Sequence, residues 1–331
     1  MERTVLIPSD ISQLGKDYLR DKGYIIKLGR GTDEKTIMED VADCEALLAR
    51  NEHITRSVME AGSRLKVISK HGVGLDKIDL EAARELNIWV TNGPLSNTAA
   101  VAEHTMLLIL ACAKRLVLFD AAIRAGDYDI RNRVKGTDLE GKTLGLIGLG
   151  KIGNLVAKKA ALGFDMRVIG YDPFLPPERR NPDIRYCDTM EEIFRESDVV
   201  SLHMPSTPET RSCVSRQLLE LMKPTAYLIN AARGDLICEA DLLEVLQTNR
   251  IAGAGLDVFA QEPPRPDHPI FQLSNVVVTP HNAALTAETA DRMGLHAAIG
   301  IDEVLSGIQP SWPVVIPSGR RVIEKNLSGK G

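Results

Sequence analysis

The sequence predicts an α/β protein made of two doubly wound parallel-sheet lobes with a cleft between them. Its 331 residues are about twice the length of a typical domain. Short apolar runs alternate with helical patterns along most of the chain, which is the order that builds a parallel sheet covered by helices. A composition of 44% hydrophobic and 26% charged residues is typical of a folded protein and argues against bulk disorder.

The first lobe is predicted from five apolar runs. They are nearly continuous in Val, Ile and Leu, as expected for strands that are buried on both faces. Helical patterns between them include Asp33–Ala42 and Leu80–Leu86. The predicted strands are Thr4–Ser9, Tyr24–Gly29, Ala46–Arg50, Leu65–Lys70 and Ile88–Asn92.

The second lobe follows one long predicted helix, Thr98–Phe119, and a polar segment, Asp120–Lys142, that is interpreted as an extended arm or loop. Six strands are predicted here: Thr143–Ile147, Met166–Tyr171, Val199–His203, Ala226–Asn230, Gly253–Val258 and Val276–Thr279. Helices are predicted over Gly153–Leu162, Arg216–Met222, Ala240–Gln247 and, after the last strand, Ala287–Ser306. The polar tail from Pro317 onward is expected to fray.

Charge and cysteine usage exclude several classes of protein. The formal net charge of −5 argues against non-specific nucleic-acid binding. The most apolar run, Met106–Phe119, is interrupted by Lys114 and Arg115 and is too short to span a bilayer. The N-terminus shows no secretory signal, and the five cysteines are scattered without a CxxC pair. We therefore expect a cytoplasmic protein without a metal site.

The strongest local motif is GLGKIG, from Gly148 to Gly153, which follows a predicted strand and opens a helix. Gly148 would allow the tight turn, Gly150 would let a diphosphate approach the backbone, and Gly153 would let the helix pack closely on the strand. The helix N-terminus offers N–H groups and a partial positive charge to the diphosphate. The motif predicts a dinucleotide site.

Asp172 ends the strand after this motif, at the spacing expected of a carboxylate that binds an adenosine ribose. A carboxylate there would repel a 2′-phosphate, and Pro173 and Phe174 follow it instead of Arg or Lys. We therefore predict NAD as the cofactor in preference to NADP. The alternative is an ordinary turn aspartate before a proline.

Four polar residues stand at or just beyond later strand ends: Arg233, Asp257, Glu262 and His281. Each alone has an ordinary structural explanation, such as a surface ion pair, a turn cap or a solvated loop residue. Together they fit the reduction of a 2-oxo acid. His281 would supply a proton to the carbonyl oxygen, a neighbouring Glu262 would favour its imidazolium form, and Arg233 would bind the substrate carboxylate bidentately.

The first lobe is expected to supply the other wall of the site. The segment KHGVGLDKID, residues 70–79, follows a strand, and its glycines Gly72 and Gly74 would allow a backbone anion-binding nest. A simple glycine turn is the alternative. Arg50 and Lys70 each end a predicted strand and are candidate contacts for a second anionic group of the substrate, such as a phosphate.

Seven segments in order resemble the D-isomer-specific 2-hydroxyacid dehydrogenases, over about residues 4–313. The segments are ISKHGVGLDKID (68–79), TNGPLSNTAAVAEH (91–104), GKTLGLIGLGKIG (141–153), LHMPSTPET (202–210), LINAARGDLI (228–237), AGLDVFAQEPP (254–264) and TPHNAALT (279–286). The resemblance implies a flavodoxin-like substrate-binding domain from residues 1–99 and 286–317, a Rossmann NAD-binding domain from residues 100–285, and a tail from residues 318–331.

By motif position, the resemblance implies that Arg233, Glu262 and His281 are catalytic and that the backbone of Val73 and Gly74 binds the substrate carboxylate. The NAD contacts it implies, besides the three glycines, are Lys151, Ile152, Asp172, Met204, Ala231, Arg233, Asp257, His281, Asn282, Ala283 and Ala284. Asp257 would meet the nicotinamide carboxamide. The resemblance also implies a homodimer, sometimes assembling further, formed through the Asp120–Lys142 region.

Within the family, HGVG and VAEH are most similar to 3-phosphoglycerate dehydrogenases, although NAALT after His281 departs from the usual pattern. The chain also ends too early for the C-terminal regulatory domain of the long forms, so a short form is expected. A hydroxypyruvate or glyoxylate reductase is the alternative enzyme. A non-catalytic NAD-sensing scaffold of the corepressor kind is the alternative of another class, and a formate dehydrogenase is disfavoured because those enzymes lack the His–Glu pair.

Overall fold

The computed structural model describes residues 3–318, and these fall into two compact units. Unit 1 combines the chain up to Asn97 with the chain from Leu285 onward, and unit 2 is Thr98–Ala284. The functional roles predicted for the two parts stay predictions. The predicted tail lies outside the described residues except for Pro317 and Ser318. Within residues 3–318, no helix is long and apolar enough to cross a membrane.

Unit 1 contains a six-stranded sheet. Its strands are β1 (Thr4–Ile7), β2 (Ile25–Leu28), β3 (Ala46–Ala49), β4 (Val67–Lys70), β5 (Trp89–Thr91) and β13 (Pro313–Val315). They lie in the order β13-β5-β4-β3-β1-β2. The strands β1 to β5 are parallel and have the flavodoxin-like order, and β13, which sequence analysis did not predict, pairs antiparallel with β5 at the edge.

The expectation that all five predicted strands of this unit are buried on both faces is wrong for β2. It lies at the edge of the sheet, and Ile25 and Leu28 are 43% and 54% exposed. An apolar run has the same appearance in the sequence whether its strand ends up central or at an edge, because the order of strands is set by tertiary packing.

The helices of unit 1 begin at clear signals. Four of them start after an Asp or Thr whose side chain accepts a backbone N–H three residues on, namely Asp33, Thr55, Asp79 and Thr286. The helices are α1 (Gln13–Asp21), α2 (Glu34–Val41), α3 (Arg56–Ala61), α4 (Leu80–Glu85) and α12 (Ala287–Leu305). The helix α12 buries Ala297, Ala298 and Ile301 completely against the β-sheet core of this unit.

Unit 2 contains a seven-stranded parallel sheet in the order β12-β11-β10-β9-β6-β7-β8, which is the Rossmann order extended by one strand. Six strands were predicted. The seventh, β8, has only two residues, too few to show a period. The strands are β6 (Thr143–Ile147), β7 (Arg167–Tyr171), β8 (Arg185–Tyr186), β9 (Val199–Leu202), β10 (Tyr227–Asn230), β11 (Gly253–Leu256) and β12 (Val276–Val278).

The helices of unit 2 are α5 (Thr98–Ala113), α6 (Leu116–Arg124), α7 (Ile130–Arg133), α8 (Lys151–Phe164), α9 (Met190–Glu196), α10 (Arg216–Leu219) and α11 (Glu239–Gln247). The predicted single helix Thr98–Phe119 is wrong: it breaks at Arg115, whose backbone is left-handed with φ 53°. The reading of Asp120–Lys142 as an arm or loop is partly wrong, because it contains the end of α6 and all of α7. The apolar pattern continues through the break and so hides it.

Candidate active site

Six strands of unit 2 end in one row across the sheet. The parallel register pairs Ile147 with both Tyr171 and Leu202, and it continues through Asn230 and Leu256 to Val278. Each of these is the last residue of its strand, so the segments that follow all leave from the same edge. The predicted residues Asp172, Met204, Arg233, Asp257 and His281 lie on these segments. The sheet therefore places the predicted cofactor and catalytic residues along one edge.

The glycine motif has the geometry that each position was predicted to need. Gly148 has φ +92°, and a Cβ there would lie 2.8 Å from the backbone of His203 and Met204. A Cβ on Gly153 would overlap the carbonyl oxygen of Gly148. Gly150 differs, because a Cβ there would meet no described atom within 4 Å outside its chain neighbours.

The open space at Gly150 fits a dinucleotide diphosphate. Gly150 is the N-cap of α8, so the N–H groups of Lys151 and Ile152 belong to a helix start, where N–H groups have no partner inside the helix. Asn282 adds a second sign of a ligand, since its Oδ1 is buried and has no hydrogen-bond partner among the described residues. These features fit the NAD that the sequence predicts.

Asp172 ties the glycine loop to the end of β7. Its Oδ2 accepts the N–H of Leu149 at 2.9 Å, and its Oδ1 accepts the N–H of Phe174 at 3.0 Å. The carboxylate is only half-buried, so it also has room for an outside donor. Sequence analysis predicted the ribose contact but not this second role in shaping the loop.

His281 and Glu262 form a hydrogen-bonded pair. The Nδ1 of His281 lies 2.7 Å from the Oε2 of Glu262, and the Oε1 of Glu262 accepts the N–H of Phe259 at 3.1 Å. Burial alone would raise the pKa of Glu262. The pKa is nevertheless lowered, because the hydrogen bond and charge of His281 outweigh burial, together with the N–H of Phe259 and the charge of Arg233. An ionised carboxylate only accepts, so Nδ1 of His281 carries the proton toward Glu262.

The backbone of His281 is left-handed, with φ 51°. For a residue with a side chain this costs about 1–2 kcal/mol, so neighbouring contacts must impose it. Asp257 provides them: its Oδ1 accepts the N–H of Asn282 and its Oδ2 the N–H of Ala283, both at 2.9 Å, and its carbonyl accepts the N–H of His281 at 2.7 Å. The turn that carries His281 is therefore built around one carboxylate.

Asp257 is fully buried. Burial alone would raise its pKa, but hydrogen bonds from His104, Thr279, Asn282 and Ala283 outweigh it and hold the pKa below its ordinary value. These partners differ from the nicotinamide carboxamide implied by the resemblance, and that contact stays a prediction. His104, on α5, is a residue that sequence analysis missed; its Nε2 lies 3.4 Å from Oδ1 of Asp257.

Arg233 follows β10 on a turn held by Asn230. The buried Asn230 side chain donates to the carbonyl of Arg233 at 2.8 Å and accepts the N–H of Ala232 at 3.0 Å. A Cβ on Gly234 would overlap the backbone of Phe259, so the Arg233 turn packs directly against the loop that leads to Glu262. Arg233, Glu262 and His281 are thus brought together within unit 2. Ala231 and Ala284, the other predicted cofactor contacts, are half-buried on the same turns.

The predicted substrate residues of unit 1 lie at the ends of β3 and β4. Gly72 has φ +110°, and the loop 72–74 is held by Asn92, whose Nδ2 donates to the carbonyl of Val73 at 3.0 Å. The Nζ of Lys70 donates to the carbonyl of Arg50, while Nη1 of Arg50 donates to the carbonyl of Asp10 at 2.6 Å. Lys70 and Arg50 are therefore adjacent. The substrate-binding roles of these two residues, and of Val73 and Gly74, stay predictions.

A metal centre has no counterpart in this arrangement: within the described range 3–318, no group of three or more His, Cys, Asp or Glu side chains is placed to hold an ion.

Residues 106–283 match the family model described as D-isomer specific 2-hydroxyacid dehydrogenase, NAD binding domain. The chain is 42% identical over 284 residues to D-3-phosphoglycerate dehydrogenase of Methanocaldococcus jannaschii, covering 85% of this chain and 54% of that protein. It is 36% identical to the Archaeoglobus fulgidus protein of the same name, covering 95% and 59%. The chain therefore spans about half the length of the curated relatives it matches.

Solved structures match over their whole length. A protein from Thermus thermophilus superposes with a TM-score of 0.88 at 38% identity, covering 94% of this chain and 100% of that one. An NADPH-dependent glyoxylate/hydroxypyruvate reductase from Sinorhizobium meliloti, solved with NADP and malonate, superposes with a TM-score of 0.86 at 27% identity, covering 98% and 100%.

We predict that His281→Ala raises the pKa of Glu262, because burial then acts against only the N–H of Phe259 and the charge of Arg233. In the wild type this pair stabilises the folded state fully at pH values above the ordinary carboxyl pKa. The stabilisation is lost as the pH falls through the lowered pKa of Glu262 in the folded protein. Carbon-detected NMR titration of the Glu side chains measures the change. Glu209, whose pKa is lowered by Thr207, is the internal control and should not move. An unchanged Glu262 titration would show that the pair does not form in solution.

Proposed function

Because the chain belongs to the family of D-isomer-specific 2-hydroxyacid dehydrogenases, we propose that it is an NAD-dependent oxidoreductase that interconverts a small D-2-hydroxy acid and its 2-oxo acid. The observation that carries the proposal is the His281–Glu262 pair beside Arg233, on the same sheet edge as the glycine motif. A non-catalytic NAD-sensing scaffold would have no need of this paired acid, and the assays below separate the two functions.

In the reductive direction, Arg233 binds the carboxylate of the 2-oxo acid and polarises the neighbouring carbonyl. The cofactor, held by the glycine loop and Asp172 when bound, would supply hydride to the carbonyl carbon in reduction and would take it back in oxidation. His281, with Nδ1 held by Glu262, presents Nε2 to the carbonyl oxygen and gives it a proton, so the ketone becomes a secondary alcohol. In oxidation His281 accepts that proton, and Glu262 stabilises the imidazolium that forms.

We propose NAD as the preferred cofactor and unit 2 as the domain that binds it. The open diphosphate cradle at Gly150 and the carboxylate of Asp172 support this assignment, and Pro173 and Phe174 follow where a 2′-phosphate would need a cation. The Sinorhizobium meliloti neighbour is described as NADPH-dependent. Asp172 is therefore the residue on which the choice of cofactor depends in this chain.

We propose unit 1 as the substrate-binding domain and a 3-phosphoglycerate-like acid as the substrate. The names of the curated relatives support this class, and so do Arg50 and Lys70, two cations that share the ends of β3 and β4. The second candidate is a hydroxypyruvate or glyoxylate reductase, which the likeness to the Sinorhizobium meliloti enzyme favours.

We also propose a homodimer formed through the α6–α7 face. Leu116, Ile123 and Tyr128 are each at least 50% exposed, and they line an open hollow of about 500 Å³ on this face. Exposed apolar side chains in one contiguous patch indicate a protein contact. All five cysteines are free thiols, which supports the cytoplasmic location predicted from the sequence.

Removal of the proposed acid is the first test. His281→Ala should lower kcat by about 10²–10⁴, the usual range for loss of general acid–base catalysis, while NADH still binds. Steady-state NADH oxidation with a panel of 2-oxo acids measures the rate, and the exposed His53→Ala is the matched control. Near-normal turnover would remove His281 from the mechanism, and a wild type inactive on every acid would favour the scaffold.

Asp172 is tested by cofactor preference. Asp172→Ala should weaken NADH binding by about 10–150-fold, the range expected for hydrogen bonds to a charged group, and should reduce the preference over NADPH. Asp172→Asn keeps one acceptor oxygen, for the N–H of Leu149 but not also for that of Phe174, and should likewise relax the preference because it loses the charge that repels a 2′-phosphate. Fluorescence titration with both cofactors measures the affinities, with the exposed Asp183→Ala as control. A wild-type preference for NADPH would contradict the assignment.

Arg50 is tested by substrate class. Arg50→Ala should lower kcat/KM for 3-phosphohydroxypyruvate by roughly 10–150-fold and for glyoxylate much less, because glyoxylate has no second anion. Arg56→Ala removes another half-exposed arginine of unit 1 and serves as the control. Equal losses on both substrates would make Arg50 structural. A wild type faster on glyoxylate would favour the reductase.

A further inference from the structure

We propose that His104 is a positioning residue for the reaction: it holds the Asp257–Thr279 network that keeps the backbone turn of His281 in its left-handed form. The inference rests on the proposed function, because it concerns the placing of the acid used in that reaction. His104 lies on α5, far from His281 in sequence, and its side chain is only 12% exposed.

The hydrogen bonds assign each donor in the network. The Nε2 of His104 lies 3.0 Å from Oγ1 of Thr279, and that oxygen lies 2.6 Å from Oδ1 of Asp257. The carboxylate only accepts, so the single hydroxyl proton of Thr279 points to Asp257. The oxygen of Thr279 must then accept from His104, which fixes the tautomer of His104 with a proton on Nε2.

The network ends on the residue that shapes the catalytic turn. Asp257 holds the N–H groups of Asn282 and Ala283 through its two carboxylate oxygens. Because this carboxylate is fully buried, it depends on its hydrogen-bond donors, and Thr279 supplies one from a side chain whose oxygen is itself held by His104. Loss of His104 leaves the Thr279 oxygen without its donor and weakens the hold on residues 279–284.

The backbone turn of Arg233 is held by a different side chain, Asn230. His104→Leu should therefore affect the acid and spare the substrate anchor. We expect kcat to fall about ten-fold or more while KM for the 2-oxo acid stays within about two-fold. His104→Gln retains an N–H donor and should recover most of kcat. A general loss of structure would change both constants, and glutamine would not restore them.

Hydrogen exchange provides a readout that does not need turnover. In His104→Leu, the amides of Thr279 and of residues 281–284 should exchange at least about ten-fold faster than in the wild type, and in His104→Gln they should remain protected. Thr279→Val removes the relay hydroxyl and should reproduce the leucine phenotype, which keeps the test decisive if His104→Leu fails to fold. Glu103→Gln, on the same helix but exposed, is the control and should change neither readout.

Protected amides together with normal kcat in His104→Leu would overturn the proposal, and so would a glutamine variant as impaired as the leucine variant. A wild type without turnover on any 2-oxo acid would overturn the proposed function instead. In that case the exchange of residues 279–284 still decides whether His104 holds the turn.

Discussion

The parallel register of the unit 2 sheet is the constraint on which the rest of the candidate site depends. It aligns the last residues of six strands, so that glycine turn, acidic residue, arginine and histidine all leave from one edge. A shift of one residue in any strand would turn its side chains to the opposite faces and move its exit loop along the strand axis, out of line with the other strand ends. The positions of the loops that form the candidate site are therefore set first by strand pairing.

Buried or half-buried polar side chains then convert this edge into defined turns. Asp172, Asn230 and Asp257 each stand at or next to the end of a strand, and each accepts at least one backbone N–H from the turn beyond it. Such groups are costly to bury unless they are satisfied, so each of them ties down the turn it serves. The proposed acid His281 can therefore be half-exposed, because other residues hold its backbone in place.

Much of this arrangement is visible in the sequence, and the part that is not has a physical reason. Apolar runs predict nearly every strand, and the glycine motif predicts the turn for the cofactor, because each of these features is a pattern of residues that are close in sequence. The break at Arg115 depends on one backbone angle, and β8 is too short to have a period. His104 is missed because its partners, Asp257 and Thr279, come together only through the packing of α5 against distant strands.

Unit 1 is assembled from two separate parts of the chain, and this affects the order in which the protein is made. A ribosome completes the first five strands of its sheet long before it reaches α12, whose Ala297, Ala298 and Ile301 cover apolar residues such as Val5 and Val67. All of unit 2 is synthesised in between, so the nascent first unit waits with that face of its sheet uncovered. Unit 1 therefore completes its core only after unit 2 has been synthesised, and until then its incompletely covered strands are open to misassembly.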